Sequence, residues 1–249
     1  VRVNGLAAIT ELDAYALSHN FGDTLTRQNE HYYRKIHLQD GQAGHDGAGI
    51  ASAHDRVSFK HEIGPADLIL DGRPRALFLD AFQPDSDAAM ELNDYEARDD
   101  STRGLVFASS ACPVEKTLEL AGRRLSVIYR FNGKASGIFT TEINLAMPSC
   151  DGPAGKFVVK GEIPGGFGQP LSIAAMKEII LDDDVLGGTI KLFASKAVDF
   201  HSSPYFSVSQ SEAGFEKIMQ AVTLTLKWHV PKGKSEMRID LEINRKKKS

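Results

Sequence analysis

The sequence predicts an all-β protein, a large antiparallel two-sheet β-sandwich, on three observations. Val222, Leu224, Leu226, Trp228 and Val230 alternate with Thr223, Thr225, Lys227 and His229, and Met237, Ile239, Leu241 and Ile243 continue the period of two that lines one face of a strand. Consecutive strand-like segments are joined by short Gly/Asn/Lys turns, which is antiparallel connectivity. Helical periodicity is sparse. Many strands in one chain must pair as two layers to bury their apolar faces and cover their edges.

Taken in order, Asp23 is placed to cap a short helix running through Glu30 to Ile36, although no sustained apolar stripe supports it. The Gly/Asp/His-rich stretch from Gln39 to Asp55 reads as a surface loop, and Pro84 to Leu92 as room for one or two helical turns. Leu118–Leu120 and Leu125–Phe131 flank Ala121-Gly122-Arg123-Arg124 as a hairpin. Asn132-Gly133 then turns the chain toward a strand near Ile138 to Met147. A further hairpin is predicted at Leu186-Gly187-Gly188, between Glu178–Leu181 and Ile190–Phe193, and a C-terminal one around Pro231-Lys232-Gly233-Lys234.

Composition bounds the function classes. The chain has 249 residues, 42% hydrophobic and 25% charged, with a net charge of −4, so it has the makeup of a globular protein and no basic excess to bind nucleic acid. The basic run Arg245-Lys246-Lys247-Lys248 reads as a solvated terminus. Cys112 and Cys150 are too few for a disulfide framework and are expected to stay reduced. No apolar run is long enough to span a membrane as a helix. No basic-then-apolar leader opens the chain, which carries little weight here. A cytoplasmic location is expected. The first residue is Val1 rather than Met, the start expected of a processed protein or an excised domain.

Four stretches carry a resemblance. Glu11-Leu12-Asp13 leads into Asn20 through Tyr33, which includes Asp23-Thr24-Leu25-Thr26-Arg27. Ser52-Ala53-His54-Asp55, Phe139 through Pro148, and Val208 through Glu216 follow. In that order they resemble the C-terminal β domain of family 57 glycoside hydrolases, the group of 4-α-glucanotransferases and some α-amylases. The resemblance implies one domain, residues 1–249, of a larger enzyme, with the oversized sandwich also seen in galactose-mutarotase-like domains. It further implies that the nucleophile and acid/base lie in an upstream catalytic barrel, of which no β/α alternation is visible here. The expected partners are therefore that catalytic domain and an α-glucan; no catalytic residue, cofactor or metal is assigned.

Glu142 and Asn144 alternate with Ile143, Leu145 and Met147, so both leave the strand on the face opposite the apolar one, where a carboxylate and an amide could meet sugar hydroxyls. Arg27, Glu30, His31 and Tyr32 form a polar and aromatic cluster suited to interdomain hydrogen bonds or sugar stacking, with an Arg27–Glu30 ion pair if the segment is helical. His31-Tyr32 departs from the Tyr-His order usual in the family. His45-Asp46 and His54-Asp55 are weak candidates for metal ligation, and Asp182-Asp183-Asp184 reads better as a charged hairpin end than as a calcium loop. Trp228 is in phase with the core. Two other classes stay open: a mutarotase-like sugar epimerase, for which His201 with Glu142 is the acid/base pair to test, and a stand-alone carbohydrate-binding module.

Overall fold

The computed structural model describes residues 1–34, 36, 63–98, 104–133, 136–147, 149, 153–211 and 214–246. Among these the chain forms β1 (Arg2–Val3), β2 (Ile9–Glu11), β3 (Asp13–Ala14), β4 (His19–Asn20), β5 (Leu77–Pro84), β6 (Met90–Glu91), β7 (Glu96–Arg98), β8 (Leu105–Ala108), β9 (Val114–Ala121), β10 (Arg124–Gly133), β11 (Gly137–Leu145), β12 (Gly155–Val159), β13 (Glu162–Gly166), β14 (Leu171–Asp183), β15 (Gly188–Ser211), β16 (Gly214–Val230) and β17 (Gly233–Arg245). Every pairing between them is antiparallel.

The strands run in the order β1-β2-β5-β11-β16-β15-β17-β10-β9-β8-β7, with β14 alongside β15. This one ribbon folds over into two layers at β15, whose 24 residues extend to roughly 80 Å if straight, against a radius of gyration of about 18 Å for a compact chain of this length. Its first part, Gly188–Ala194, pairs with β17, and its last, from Asp199, pairs with β16. Between them Ser195, Lys196 and Ala197 are exposed where the strand changes layer. β14 follows the same bend with two register shifts between Ile173 and Glu178. Strands far apart in the ribbon then meet face to face. Tyr129 of β10 lies 5.0 Å from Phe139 of β11 and 5.7 Å from Trp228 of β16, ring centre to ring centre. The predicted two-layer sandwich is thus the observed one, with Trp228 in its core.

The hairpins at Gly122 and Gly187 form as predicted, each turn setting a glycine at positive φ. Other expectations need correction. β16 and β17 do not pair with each other: the turn at Pro231-Lys232 carries the chain from one layer to the other, so the two apolar faces meet across the core. β10 and β11 part in the same way after Asn132. Alternation identifies which face a strand buries, not its neighbour. Residues 23–30 are irregular, so Asp23 caps no helix, while helix does appear at Tyr33, Arg34 and Ile36, the end of the expected segment; Pro84–Leu92 holds the end of β5, a turn and β6 instead of a helix. The Gln39–Asp55 loop, with His45, Asp46, His54 and Asp55, lies outside the described residues, as does Cys150. Cys112 is a free thiol, raised to about 12 by burial and by Asp94 and Asp80 nearby.

An ion pair sits inside the sandwich. Lys116 on β9 and Asp80 on β5 are both wholly buried, with Lys116 Nζ donating to Asp80 Oδ2 at 2.7 Å and to the Phe78 carbonyl at 2.6 Å. Tyr95 and Tyr129 hydroxyls donate to the two Asp80 oxygens at 2.9 and 2.8 Å. Burial draws the Lys116 ammonium down in pKa and Asp80 acts against it; burial and Asp80 together push both phenols well up. The Phe78 carbonyl is available because Phe78, at φ 64°, forms a bulge where the β5–β11 register shifts.

Two stability outcomes follow. Leu224 and Leu226 are fully buried, so truncating either to alanine is expected to cost about 2–5 kcal/mol; a loss under about 1 kcal/mol in urea melts would contradict the packing. Lys116→Met strands the Asp80 carboxylate and is expected to cost about 3–5 kcal/mol, with Lys116→Met/Asp80→Asn together costing less than the two changes summed. Strict additivity in the same melts would mean that the pair is not coupled.

Candidate functional site

The N-terminal family-like stretch is bound to the sandwich by its own polar atoms. Asn20 Oδ1 accepts hydrogen bonds from the backbone of Leu12 and Gly22, both at 2.9 Å, and ties together the residues flanking the β3–β4 pair at the turn that begins with Phe21. A Cβ on Gly22 would lie 2.5 Å from the Thr10 carbonyl oxygen, so only glycine fits there. Ala146 N–H then donates to the Phe21 carbonyl at 2.9 Å, joining this turn to the end of β11. Two of the matched stretches therefore meet in space.

The following residues cross the outer face of the β5-β11-β16-β15 layer and build a network around Asp71. Arg75 donates to the Asp71 carboxylate from Nε and Nη2, the closest contact being 2.9 Å, and its guanidinium lies 3.4 Å from the Tyr205 ring centre. The Tyr205 hydroxyl and the Arg27 backbone N–H donate to Asp71 Oδ2 at 2.5 and 2.7 Å. Arg27 Nη1 donates to the carbonyls of Ala66 and Asp67 at 3.1 and 3.2 Å, so its charge is spent on residues 66–67 rather than on Glu30. On its inner side Arg75 Nη1 donates to Asn144 Oδ1 at 2.8 Å and Thr223 Oγ1 at 3.0 Å.

Asn144 is wholly buried beneath Arg75. Its amide donates to the Ala76 carbonyl at 3.0 Å and to Glu142 Oε1 at 2.8 Å, so it is filled by internal partners and fixes the carboxylate next to it. Glu142 itself is half-buried. It stands opposite Thr225, Thr225 stands opposite His201, and His201 opposite Ser172. Residues in direct register share a face, so Glu142 and His201 lie on one face with the Thr225 strand between them, their backbones roughly 9–10 Å apart. His201 is exposed, with Nδ1 2.8 Å from Ser172 Oγ.

The remaining predicted residues lie at the far end of this face. Tyr32 donates its hydroxyl to the Val208 carbonyl at 3.0 Å, packs 6.0 Å from the Phe215 ring and edge-on against His31 and Tyr33. Burial is the main reason its phenol is raised, with Tyr33 and Glu30 adding to it. Glu30 and His31 are exposed. At the β14–β15 turn, Asp183 is buried and accepts hydrogen bonds from Ser149 and Leu186, while Asp182 and Asp184 face Lys156 and Lys246, a charged hairpin end as read from the sequence.

Sequence reasoning missed Asp71, Arg75, Tyr205 and Thr223. Thr223 was visible as the polar partner phase of β16, but Asp71 and Arg75 lie in an irregular segment where no period marks a direction.

Acid should loosen this network. Burial raises the Asp71 carboxyl, but hydrogen bonds from Arg75, Tyr205 and the Arg27 backbone outweigh it and hold it below its ordinary value. A carboxyl lower in the folded than in the unfolded state contributes stability above the unfolded value near ~3.9 and loses it as pH falls through the folded one. Asp94, held down to about 2 by Ser109, Ser110 and Ala111, adds to the same acid limb. Asp71→Asn is expected to lower stability at neutral pH and to flatten its decline as pH falls below the ordinary carboxylate range; parallel curves for variant and parent in pH-stepped urea melts would remove Asp71 from that role.

The chain's matches to known proteins cover nearly all of it. Residues 1–243 match the family described as alpha-amylase/4-alpha-glucanotransferase, C-terminal. The 4-alpha-glucanotransferase of Thermococcus litoralis is 26% identical over 248 residues, covering 90% of this chain and 35% of that protein. The one from Thermococcus kodakarensis is 24% identical over 255 residues, covering 95% and 36%. The chain thus spans about a third of the length of these relatives. The crystal structure of the Thermococcus litoralis enzyme superposes with a TM-score of 0.66 at 22% identity, over 95% of this chain and 34% of that one, a likeness of fold. On the family match over residues 1–243, the chain belongs to the C-terminal domain family of alpha-amylases and 4-alpha-glucanotransferases.

Proposed function

We propose that this chain is the noncatalytic C-terminal β domain of an enzyme acting on α-glucans, a cytoplasmic glycoside hydrolase or 4-α-glucanotransferase, and that its outer sheet face supports and lines part of the glucan cleft. The single observation that carries the cleft-wall role is the way Glu142 is held. Its carboxylate is half-buried on a polar face, fixed by the amide of a fully buried Asn144 that is in turn locked by Arg75 and Thr223. A carboxylate held from beneath by such a network has lost much of its rotamer freedom, which is the condition for positioning a substrate hydroxyl. Family membership supports the rest of the reading, since the relatives are named 4-alpha-glucanotransferases and are about three times as long. Breaking and remaking a glycosidic bond with retention needs two carboxyl groups about 5–5.5 Å apart across it. On this reading they come from the remainder of the polypeptide.

The test is product analysis on maltoheptaose. The 249-residue chain is expected neither to cleave nor to disproportionate it, and Glu142→Ala in the full-length enzyme to lower kcat/KM about 2- to 150-fold, the range of one positioning hydrogen bond. Turnover by the chain alone that disappears with Glu142→Ala would overturn the noncatalytic reading. Unchanged kinetics of the full-length variant would remove the cleft-wall role. Interconversion of glucose anomers by the chain, lost with His201→Ala, would instead establish the epimerase.

A further inference from the structure

Beyond the Glu142 face, where β15 and β16 pass their register shift at Tyr205/Phe206, a groove of about 570 Å³ lies between residues 23–33 and the strand pair. That volume is within the ~300–1,000 Å³ range of small-ligand sites. Its wall is mainly polar and has no cluster of free cations: Asp23 and Glu30 are exposed, the Arg27 guanidinium is turned to the 66–67 carbonyls, and neutral donors and acceptors such as Thr24, Gln28, Ser207 and Gln220 line it beside Leu25 and Val208. An anion would select a cluster of cations, and an apolar peptide would select apolar pockets. Hydroxyl, amide and mixed-charge groups at close spacing instead suit a neutral ligand rich in hydroxyls, each of which both donates and accepts.

Two further features point the same way. Tyr32, on the groove wall, is held rigid by its hydrogen bond to Val208 and by Phe215, so an aromatic edge is presented at little entropic cost. Thr24 Oγ1 and Arg27 Nε, both on wall residues, have no hydrogen-bond partner and are shielded from solvent, and one χ1 rotation carries the Thr24 hydroxyl to another staggered position. Polar atoms left unpaired in this way are uncommon in folded chains, and of the two the Thr24 hydroxyl is the one a ligand could engage, since the Arg27 guanidinium lies over the Tyr205 ring.

We propose that this groove is a second carbohydrate-binding subsite, distinct from the Glu142 face, that holds a few glucose units of a linear α-glucan away from the reacting bond. The choice of α-glucan rests on the function proposed above; the choice of a polyhydroxylated neutral ligand rests on the groove. Gln28 and Glu30 are exposed at its mouth and Thr24 lies deeper, so the ligand enters from the solvent side.

The experiment is calorimetric titration of the 249-residue chain with maltoheptaose, with cellohexaose in parallel and thermal melts of every variant. Saturable binding of maltoheptaose is expected, weakened about 2- to 13-fold by Thr24→Val and by Gln28→Ala, the range of one hydrogen bond. Glu119→Gln on the opposite layer is expected to leave binding unchanged. Thr24→Val removes an unpaired hydroxyl and is expected not to lower the melting temperature, while Gln28→Ala changes an exposed side chain and cannot fail by unfolding the core. No saturable binding, or binding that neither groove variant weakens, overturns the subsite. Equal binding of cellohexaose keeps the groove as a sugar site and overturns its assignment to α-glucans. None of these outcomes bears on Glu142, whose role is read from the kinetics of the full-length enzyme.

Discussion

The arrangement of this sandwich turns on placing one ion pair where no water reaches it. Lys116 and Asp80 come from opposite layers and meet in the core with both side chains fully buried. An unpaired charge there would cost several kcal/mol in lost hydration, and Coulomb attraction alone rarely returns it. The pair is tolerable because its hydrogen-bonding capacity is used: Asp80 accepts from Lys116, Tyr95 and Tyr129, and Lys116 also reaches the Phe78 carbonyl. Tyr129 in turn packs on Phe139 and Trp228 of the facing layer. A slip of either layer by one residue would send Asp80 or Lys116 to the outside and leave the other alone. The ion pair therefore specifies register more than it adds stability.

Its influence extends outward through the Phe78 bulge. Turning the Phe78 carbonyl inward to Lys116 requires a residue in the left-handed region, which a bulky side chain adopts only when its surroundings hold it. The bulge inserts one residue into β5, so that Glu142 stands opposite Leu79 and Ile143 opposite Leu77. The outer-face position of Glu142 and the inner position of Ile143 are both referred to this register. From there the second polar system takes over: Ala76, at the entry to β5, accepts from Asn144, and Arg75 before it binds Asp71, Asn144 and Thr223. One short stretch, residues 75–80, thus holds the core pair at one end and the surface network at the other.

Much of this was legible in the sequence, and the illegible part has physical causes. Faces were readable wherever polar and apolar residues alternate, as in Val222–Val230, because burial imposes the period directly. Partners were not, because β16 buries the same face whether its neighbour is β17 or β11. The length of β15 was hidden by Ser195, Lys196 and Ala197, an interruption in the apolar phase that reads as a strand end but is the bend between layers. Lys116 did carry a signal: it falls in phase with Val114 and Leu118, both buried, and a charge in the core phase asks for a buried partner. Glu142 and Asn144 were placed on the correct face, yet only the fold distinguishes the half-buried carboxylate from the wholly buried amide that aims it.

That distinction bears on what such a domain can contribute to an enzyme. Arg27, Asp71, Arg75, Asn144, Thr223 and Tyr205 are residue types that could bind a ligand, but most of their donors and acceptors are taken by one another or by nearby backbone carbonyls. Groups so committed cannot be redirected to a substrate without breaking buried hydrogen bonds at about 1–3 kcal/mol each. They serve by making neighbouring positions rigid. On the proposed reading, the groups left for a glucan are the ones at the edges of this network: the Glu142 carboxylate at one side, and the Thr24–Gln28–Tyr32 groove at the other. A stiff polar frame that holds two contact zones in place suits a long, repeating ligand. Each zone can bind weakly, and the fixed spacing between them lets one bound unit raise the effective concentration of the next.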